Sequence, residues 1–226
     1  MRLARIRWLA IGLLTFMPVL SYLFPIEAGT LGASAGWLNG DYRFAGGTEP
    51  RALGFAALTI GLYILLMYAE PAKLGKPLPG VFRRFVAFWL DFVLAMTALV
   101  PILGILLTVS EWRRTGVFRW NFARDTYARG DALLAVLSFL ITTGVLLLYW
   151  SLPLTRRKPS LGACIVGYVV VPGNRDTMPF GRAVLRSLLG FVAVAGWYVT
   201  PFIARDRKNG KVWLDKVFGT QAMLLS

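Results

Sequence analysis

Five long apolar blocks constrain this chain more than any other feature of its sequence. Four of them are long enough to cross a membrane as helices, at residues 6–24, 52–69, 85–109 and 132–154. About 18 to 20 apolar residues, each adding about 1.5 Å, cover a hydrocarbon core of roughly 30 Å. The fifth block, 187–204, is interrupted by Gly196 and Pro201, so we expect a broken or re-entrant segment there. The alternative is an ordinary fifth span, which would place the C-terminus outside. The sequence therefore predicts an all-α polytopic membrane protein with four transmembrane helices and a fifth, incomplete apolar segment.

Basic residues outnumber acidic residues by 25 to 11, which gives a formal net charge of +14 at pH 7. In a soluble protein this charge would favour nucleic acid as a partner, but here the basic residues flank the apolar blocks. In that position they set the orientation of the spans and interact with anionic lipid headgroups. We therefore expect a bilayer containing anionic lipids as the partner, and no nucleic acid.

The chain has no histidine and a single cysteine, Cys164. Histidine is the commonest haem and transition-metal ligand and the side chain that normally titrates near neutrality. Its absence argues against a haem subunit, a zinc hydrolase and a Ser-His-Asp enzyme, and one cysteine forms neither an intrachain disulfide nor a multi-cysteine metal site. We therefore predict that the protein is not an enzyme and holds no cofactor or metal, so that carboxylates are the groups left to handle protons.

The distribution of lysine indicates which segments face the cytoplasm. The six lysines lie between the second and third blocks, after the fourth block and near the C-terminus. By the positive-inside tendency, the N-terminus, the 70–84 loop and the segment from residue 155 onward are cytoplasmic. Residues 25–51 and 110–131 then face outward. Because residues 25–51 are rich in glycine and other small residues, we expect them to form an irregular external loop.

Sequence after the fourth block changes from helical to strand-like. The segment "CIVGYVVVPGNRD" is rich in β-branched residues and contains a Pro-Gly-Asn turn signal, so it predicts a short strand at residues 165–171. The segment "TQAMLL" near the C-terminus is a candidate second strand, and "MPFGRAVLRSLLGF" is typical of a helix start. These features favour a small cytoplasmic cap containing a two-stranded ribbon.

The stretch "RRFVAFWLD", residues 83–91, places a carboxylate about two helical turns inside an apolar segment. Arg84 and Asp91 are seven residues apart, so they lie near the same helix face. An arginine can reach back to the headgroups, but the short aspartate cannot, and a lone aspartate at mid-depth costs on the order of 2.5–3.5 kcal/mol. We therefore expect Asp91 to face protein or a water-filled cleft and to have an arginine partner. The candidates are Arg182, Arg186 and, through a water molecule, Arg84.

Three separated motifs of the C-terminal part carry a family resemblance. The first is Arg84-x-x-Ala87-x-x-x-Asp91, the second is "SLGACIVGYVVV" followed by "FGRAVLRSLL", and the third is Asp215 in "VWLDKVFGT". Together they resemble the RDD family of bacterial membrane proteins, which is named for one arginine and two aspartates. The resemblance covers about residues 80–226 and leaves an N-terminal transmembrane hairpin, residues 1–69, outside it.

The resemblance implies a multi-pass protein of the bacterial cytoplasmic (inner) membrane. Some members of the family have been proposed to exchange sodium or other cations for protons. This chain departs from the family pattern at Ala163, where lysine is common, and at Leu214, where histidine is common.

Two functions remain open from the sequence. In the first, the protein transports cations or protons, and the site consists of Asp91, Asp215, Arg84, Arg182 and Arg186, with the arginines tuning the carboxylates. In the second, the same charges form a neutralised network that holds the first helix of the RDD-like domain to the cap. The protein would then be a non-catalytic membrane subunit or assembly factor that binds a partner membrane protein or a second copy of itself. A lipid-modifying enzyme ranks last, because the chain has no credible nucleophile–base pair.

Overall fold

The computed structural model describes residues 3–23, 32–38, 41–70, 74–77, 80–126, 130–173, 177–195 and 212–225. Its helices are α1 (Leu3–Leu23), α2 (Pro50–Tyr68), α3 (Val81–Thr115), α4 (Asp131–Thr155), α5 (Leu161–Val166), α6 (Phe180–Ala195) and α7 (Trp213–Phe218). Its strands are β1 (Gly32–Leu38), β2 (Asp41–Gly47), β3 (Leu74–Pro77), β4 (Asn121–Arg124), β5 (Tyr168–Pro172) and β6 (Thr220–Leu225). The chain is therefore mostly helical, with short strands.

Helices α2, α3 and α4 are long and apolar enough to cross a membrane, and within the described ranges they are the three that meet this condition. They coincide with the second, third and fourth apolar blocks. Helix α1 covers the first block with 21 residues but is not among the three. Helix α6 covers the beginning of the fifth block, whereas the expected break near Gly196 lies outside the described residues.

The chain divides into two compact units, each assembled from separate stretches of sequence. The first unit contains Met1–Gly12, Leu62–Leu94 and Val145–Ser226, and the second contains Leu13–Gly61 and Ala95–Gly144. The division into an N-terminal hairpin and a C-terminal domain stays a prediction. The two units are described separately below.

The first unit contains an antiparallel sheet with the strand order β3-β6-β5. Strand β5 pairs with β6 from Tyr168 opposite Leu224 to Pro172 opposite Thr220, so the predicted pairing of these two segments is confirmed. The predicted start of the strand at residue 165 is wrong, because Ile165 and Val166 belong to helix α5 and Gly167 ends that helix. The sheet is larger than the predicted ribbon, because β3 pairs with the other edge of β6 through Leu74 and Pro77. Strand β6 is therefore central and both of its edges are covered.

The second unit contains the sheet β1-β2-β4, and the expectation of an irregular loop at residues 25–51 is wrong for β1 and β2. The sheet stays close to helix α3 because both contribute glycine: a Cβ added to Gly104 would lie 2.1 Å from the carbonyl oxygen of Gly47. Phe44 and Leu107 form the buried core beside it. Small residues thus allow this sheet to pack closely on a helix. Because such residues have low strand propensity, the sequence did not predict these strands.

A group of charged side chains connects three elements of the same unit. Arg124, in β4, forms ion pairs with Asp131 and Glu111, and its guanidinium lies 4.8 Å from the centre of the Phe44 ring. Asp131 is in the first turn of α4, where a negative charge is favoured by the helix dipole. These contacts connect β4 to the beginning of α4 and to the end of α3.

Cys164, in α5, is buried, and burial raises the pKa of its thiol to about 11. Since the thiolate is the reactive form of cysteine, we expect the folded protein to react with a maleimide much more slowly than protein unfolded in SDS. As a control, a Cys164→Ser/Arg119→Cys variant carries its thiol at an exposed position and should react rapidly in both states. Rapid, complete labelling of native Cys164 would contradict the buried position of α5.

Candidate functional site

Asp91, inside helix α3, is 3% exposed and accepts three hydrogen bonds. Its Oδ1 accepts from the Tyr149 hydroxyl at 2.7 Å and from the backbone N–H of Gly162 at 2.6 Å. Its Oδ2 accepts from the Ser160 hydroxyl at 2.5 Å. All three donors belong to the first unit, and all three are neutral groups. The carboxylate is therefore desolvated but well supplied with hydrogen bonds.

Two of these donors come from the beginning of the short helix α5. Ser160 is its N-cap residue and accepts from the backbone N–H of Ala163 at 3.3 Å, while Gly162 donates to Asp91. The first N–H groups of a helix have no partner within the helix itself, so Asp91 and Ser160 supply acceptors that the helix start lacks. The carboxylate of a transmembrane helix thus caps a second helix.

Close backbone approach is required for this contact. A Cβ added to Gly162 would lie 2.2 Å from the carbonyl oxygen of Ala87 and 2.8 Å from both the Cγ and the backbone nitrogen of Asp91. No real Cβ tolerates such distances, so glycine is needed at position 162 for steric reasons. The small side chain of Ala87 is fully buried on the facing turn of α3.

Tyr149 is held in place by a second tyrosine. Its ring stacks on that of Tyr63 with centroids 4.9 Å apart, and the Tyr63 hydroxyl donates to the Tyr149 carbonyl at 3.0 Å. Buried tyrosine hydroxyls usually need a hydrogen-bond partner, and Asp91 fills that requirement for Tyr149. The contact joins helices α2, α3 and α4 within the first unit.

The second aspartate, Asp215, occupies a different environment. It is 1% exposed, and its Oδ2 accepts from Arg84 Nη1 at 2.5 Å while its Oδ1 accepts from Arg186 Nη2 at 2.9 Å. The hydroxyl of Thr220 also donates to Oδ1, at 3.0 Å. Two guanidinium groups against one carboxylate leave one net positive charge. This centre is a buried ion triad that joins α3, α6, α7 and β6.

The Asp…Gly-Thr pattern has a structural reason at this centre. Gly219 ends helix α7 with φ of 61°, a left-handed conformation that favours glycine. The turn starts β6 immediately afterwards, and Thr220 lies where its hydroxyl donates to Asp215 and accepts from Arg186 Nε at 3.3 Å. Gly219 thus sets the direction of the chain and Thr220 completes the set of partners around the carboxylate.

The structure separates the five residues that the sequence grouped together. Arg84, Arg186 and Asp215 meet, whereas no ion pair joins Asp91 to any of the three arginines considered, all of which lie in the described residues. The expectation of a direct partner in Arg182 or Arg186 is therefore wrong, because hydroxyl and backbone donors take that place. A contact between Arg84 and Asp91 through water stays a prediction. Arg182 is exposed, one turn before Arg186. Asp215 is buried as well.

Tyr168, in β5, lies between the two centres. It packs with Ala87, Ala163 and Ala222 and is within electrostatic reach of both Asp91 and Asp215. Burial raises the pKa of its hydroxyl well above the ordinary value, so the residue is neutral. The helical face that carries Arg84 and Asp91 is thus filled between them by apolar packing.

The two positions that depart from the family pattern are both in apolar packing. Ala163 is buried in the cluster around Tyr168, and Leu214 packs against the cluster that contains Leu154, Met178 and Phe218. In this chain neither position contributes a charge or a titratable group to the centres.

Helix α6 presents its polar face to the interior. Arg186 and Ser187 point inward, and the Ser151 hydroxyl of α4 donates to the Ser187 hydroxyl at 3.2 Å. Leu185 and Val192, on the opposite face, are at least half exposed. A polar interior with an apolar exterior is the pattern of a helix that contacts lipid.

Sequence reasoning missed the donors around Asp91. Ser160 had a usable signal, because a serine directly before a short apolar segment is typical of a helix N-cap. Tyr149 had a weaker sequence signal, since a tyrosine inside an apolar span needs a hydrogen-bond partner for its hydroxyl. The backbone N–H of Gly162 had no sequence signal, because every residue except proline carries such a donor. Among the described residues, no group of three or more His, Cys, Asp or Glu side chains is placed to hold a metal ion.

Changing Gly162 to alanine should destabilise the protein. The added methyl meets backbone atoms of α3 that cannot move independently, so we expect a loss of about 1–3 kcal/mol. Gly190→Ala is the matched control, because its Cβ would meet only Leu214 Cδ2 at an ordinary 3.5 Å and alanine is the better helix former. The stability of both variants is measured in detergent as the temperature midpoint at which the Cys164 thiol becomes accessible to a thiol reagent. Equal midpoints for the two would contradict the close approach of α5 to α3.

Two arginines on α6 give a second comparison. Arg186→Ala removes one partner of a buried carboxylate, and we expect a loss of about 3–5 kcal/mol. Arg182→Ala, four residues earlier on an exposed position, should change stability by no more than about 0.5 kcal/mol. The same thiol-exposure midpoint is the readout. A similar effect of both substitutions would show that the ion triad does not stabilise the fold.

The RDD family model matches residues 78–219, which is more than half of the chain. Neither a curated protein nor a solved structure matches the chain with significant similarity. The match includes α3 with both Arg84 and Asp91, and it extends through Asp215 to Gly219, so it covers the two centres described above. On this match, and on the apolar helices that accompany it, the chain is a membrane protein that belongs to the RDD family.

Proposed function

We propose that this protein transports cations or protons and that Asp91 is the carboxylate that takes up and releases the transported charge. One observation carries the proposal. Asp91 is buried within a membrane-spanning helix, and each of its hydrogen-bond partners in the described residues is a neutral donor. When it is ionised, no cationic side chain there offsets its charge, so uptake of a positive charge is favourable. An intramembrane ionisable group of this kind is a functional candidate by default.

Asp215 is the less suitable of the two carboxylates. Arg84 and Arg186 already compensate its charge, and adding a proton or another monovalent cation would raise the net charge of this buried centre from +1 to +2. Breaking a buried ion pair costs several kcal/mol. We therefore assign a structural role to Asp215 and its two arginines and reserve the transport role for Asp91.

Charge uptake at Asp91 would act directly on α5. The carboxylate caps this helix through Gly162 and Ser160, and the electrostatic part of the cap weakens when the carboxylate becomes neutral. Helix α5 leads into β5 and so into the sheet of the first unit. A change in the charge of Asp91 can thus alter the positions of elements other than α3, as a transport cycle requires.

We further propose a multi-pass protein of the bacterial inner membrane in which α1 is a fourth span and the N-terminus is cytoplasmic. Lys158, after α4, donates to the carbonyls of Met67 and Ala69 at the end of α2, and desolvation lowers its pKa. The end of α2 and the segment after α4 are therefore together, as the lysine distribution requires if both are cytoplasmic. We expect anionic lipids to surround this side, and we propose no enzymatic activity.

A second candidate function is supported by helix α4. Only 6% of its most apolar window is buried, so most of its surface faces either lipid or another protein. A non-catalytic subunit or assembly factor would use such a helix to bind a partner membrane protein or a second copy of the chain. A stoichiometric partner after purification in mild detergent, together with inactivity of the isolated chain, would favour this candidate.

Transport in proteoliposomes tests the first candidate. Asp91→Asn keeps the shape of the side chain but cannot carry the charge, so we expect loss of charge-coupled proton or cation movement with little loss of stability. Asp125→Asn makes the same chemical change at an exposed position and should leave transport unchanged. The measurement is the flux of protons, sodium, potassium and lithium under imposed gradients. Equal flux in the Asp91→Asn variant and the wild type would remove Asp91 from the proposed role.

A further inference from the structure

We infer that the ion taken up by Asp91 is a proton rather than a metal cation. This inference rests on the proposed function, because it names the ion for the same carboxylate. It follows from three features of the described surroundings: the donors that already occupy the carboxylate, the fixed position of one of them and the small number of free oxygen atoms.

The carboxylate is surrounded by hydrogen atoms. Tyr149 and Gly162 both donate to Oδ1, and Ser160 donates to Oδ2. A metal cation would have to approach a carboxylate on which three of the roughly four lone-pair sites already point at the positive ends of bond dipoles. Hydroxyl groups can turn away to present a lone pair, but a backbone N–H cannot. At least one dipole therefore remains unfavourable for a cation at Oδ1.

The N–H of Gly162 is also fixed in position. The backbone at this residue is so close to α3 that an added Cβ would be 2.2 Å from the Ala87 carbonyl oxygen. The start of α5 therefore cannot withdraw to admit an ion without losing its packing on α3. A proton needs no such space, because it binds to one oxygen atom and adds almost no volume.

Few side-chain oxygens face the site. Calcium and magnesium take about six or more oxygen ligands, whereas the side-chain oxygens that meet here in the described residues belong to Asp91, Tyr149 and Ser160. The Ser160 oxygen already accepts from the backbone N–H of Ala163. The neighbouring Tyr63 hydroxyl is directed to the carbonyl of Tyr149.

The existing contacts accommodate a proton on Oδ2 with one rotation. The Ser160 hydroxyl has two lone pairs, and one of them accepts from Ala163. When Oδ2 gains a proton, the Ser160 O–H turns about its Cβ–Oγ bond and its second lone pair accepts from the carboxyl group. Tyr149 and Gly162 continue to donate to Oδ1. The net change is one proton gained and one negative charge neutralised.

The other titratable groups near Asp91 do not compete for this proton. On the packed elements they are Tyr63 of α2, Tyr149 of α4, Cys164 of α5 and Tyr168 of β5. Burial raises the pKa of Cys164 to about 11 and keeps Tyr168 neutral. Among charged side chains, Arg84 of α3 is engaged by Asp215. Arg156, after α4, lies near enough to influence Tyr63, and Arg7 of α1 lies near enough to influence Cys164. Asp91 is thus the one group in this set that changes charge.

Infrared difference spectroscopy of the full-length protein in liposomes tests the inference without requiring transport. The C=O stretch of a protonated carboxylic acid should appear as the pH is lowered, and it should be lost in Asp91→Asn but retained in Asp125→Asn. Repeating the titration with sodium, potassium or lithium in place of a large organic cation should leave the midpoint unchanged. A midpoint that moves to lower pH with a metal ion, in wild type but not in Asp91→Asn, would show that the metal competes with the proton and would overturn the inference.

The outcomes separate the inference from the proposed function. Transport of a metal ion that depends on Asp91, with a metal-sensitive band, would retain the proposed function and overturn the proton assignment. A metal-insensitive Asp91 band in a protein that moves no ions would retain the proton site and overturn the proposed function. Absence of any pH-dependent band that depends on Asp91 would overturn the proton assignment.

Discussion

The buried carboxylate of Asp215 is the interaction on which the first unit depends. Arg84 from α3 and Arg186 from α6 meet on its two oxygens, and Thr220 adds a hydrogen bond from β6. Arg84 donates to Asp215 through Nη1, while its Nε and Nη2 are buried without a hydrogen-bond partner in the described ranges. Removing Asp215 would thus leave that guanidinium entirely unpaired in a desolvated position. This one side chain thus holds α3 and α6, which are distant in sequence, to the consecutive elements α7 and β6.

The same physical constraint gives a reason for the spacing Arg84-x-x-Ala87-x-x-x-Asp91. The three residues lie on one face of α3: the first binds Asp215, the second admits the close approach of Gly162, and the third caps α5. The arginine and the two aspartates for which the family is named therefore belong to two centres of different character. One is a compensated ion triad, and the other is a carboxylate held by neutral donors.

Much of the helical architecture could be predicted from the sequence, because long apolar blocks and helix length are both set by the thickness of a bilayer. The pairing of β5 with β6 was accessible from the β-branched run that forms Val169–Val171. Strands β1 and β2 were not, since their glycines and alanines carry little strand propensity and are explained only by the packing of Gly47 against Gly104. Strand β3, "LGKP", likewise contains few residues with strand propensity.

The residues of the candidate site were predictable, but their partners were not. Burial of Asp91 followed from the cost of a carboxylate in an apolar span. That argument requires a polar partner for Asp91 but does not say which kind. Charge complementarity therefore led to the prediction of an arginine. A backbone N–H from Gly162 leaves no mark on the sequence, and the choice of Arg84 between two aspartates depends on tertiary structure.

A double-mutant cycle for stability tests most directly whether Arg84 belongs to Asp215 and not to Asp91. Unfolding midpoints would be measured for Arg84→Met, Asp215→Asn and Asp91→Asn alone and for each pair that includes Arg84. We predict a coupling of about 1–3 kcal/mol between Arg84 and Asp215, and additivity within about 0.5 kcal/mol between Arg84 and Asp91. A coupling of Arg84 to Asp91 that equals or exceeds its coupling to Asp215 would contradict the separation of the two centres.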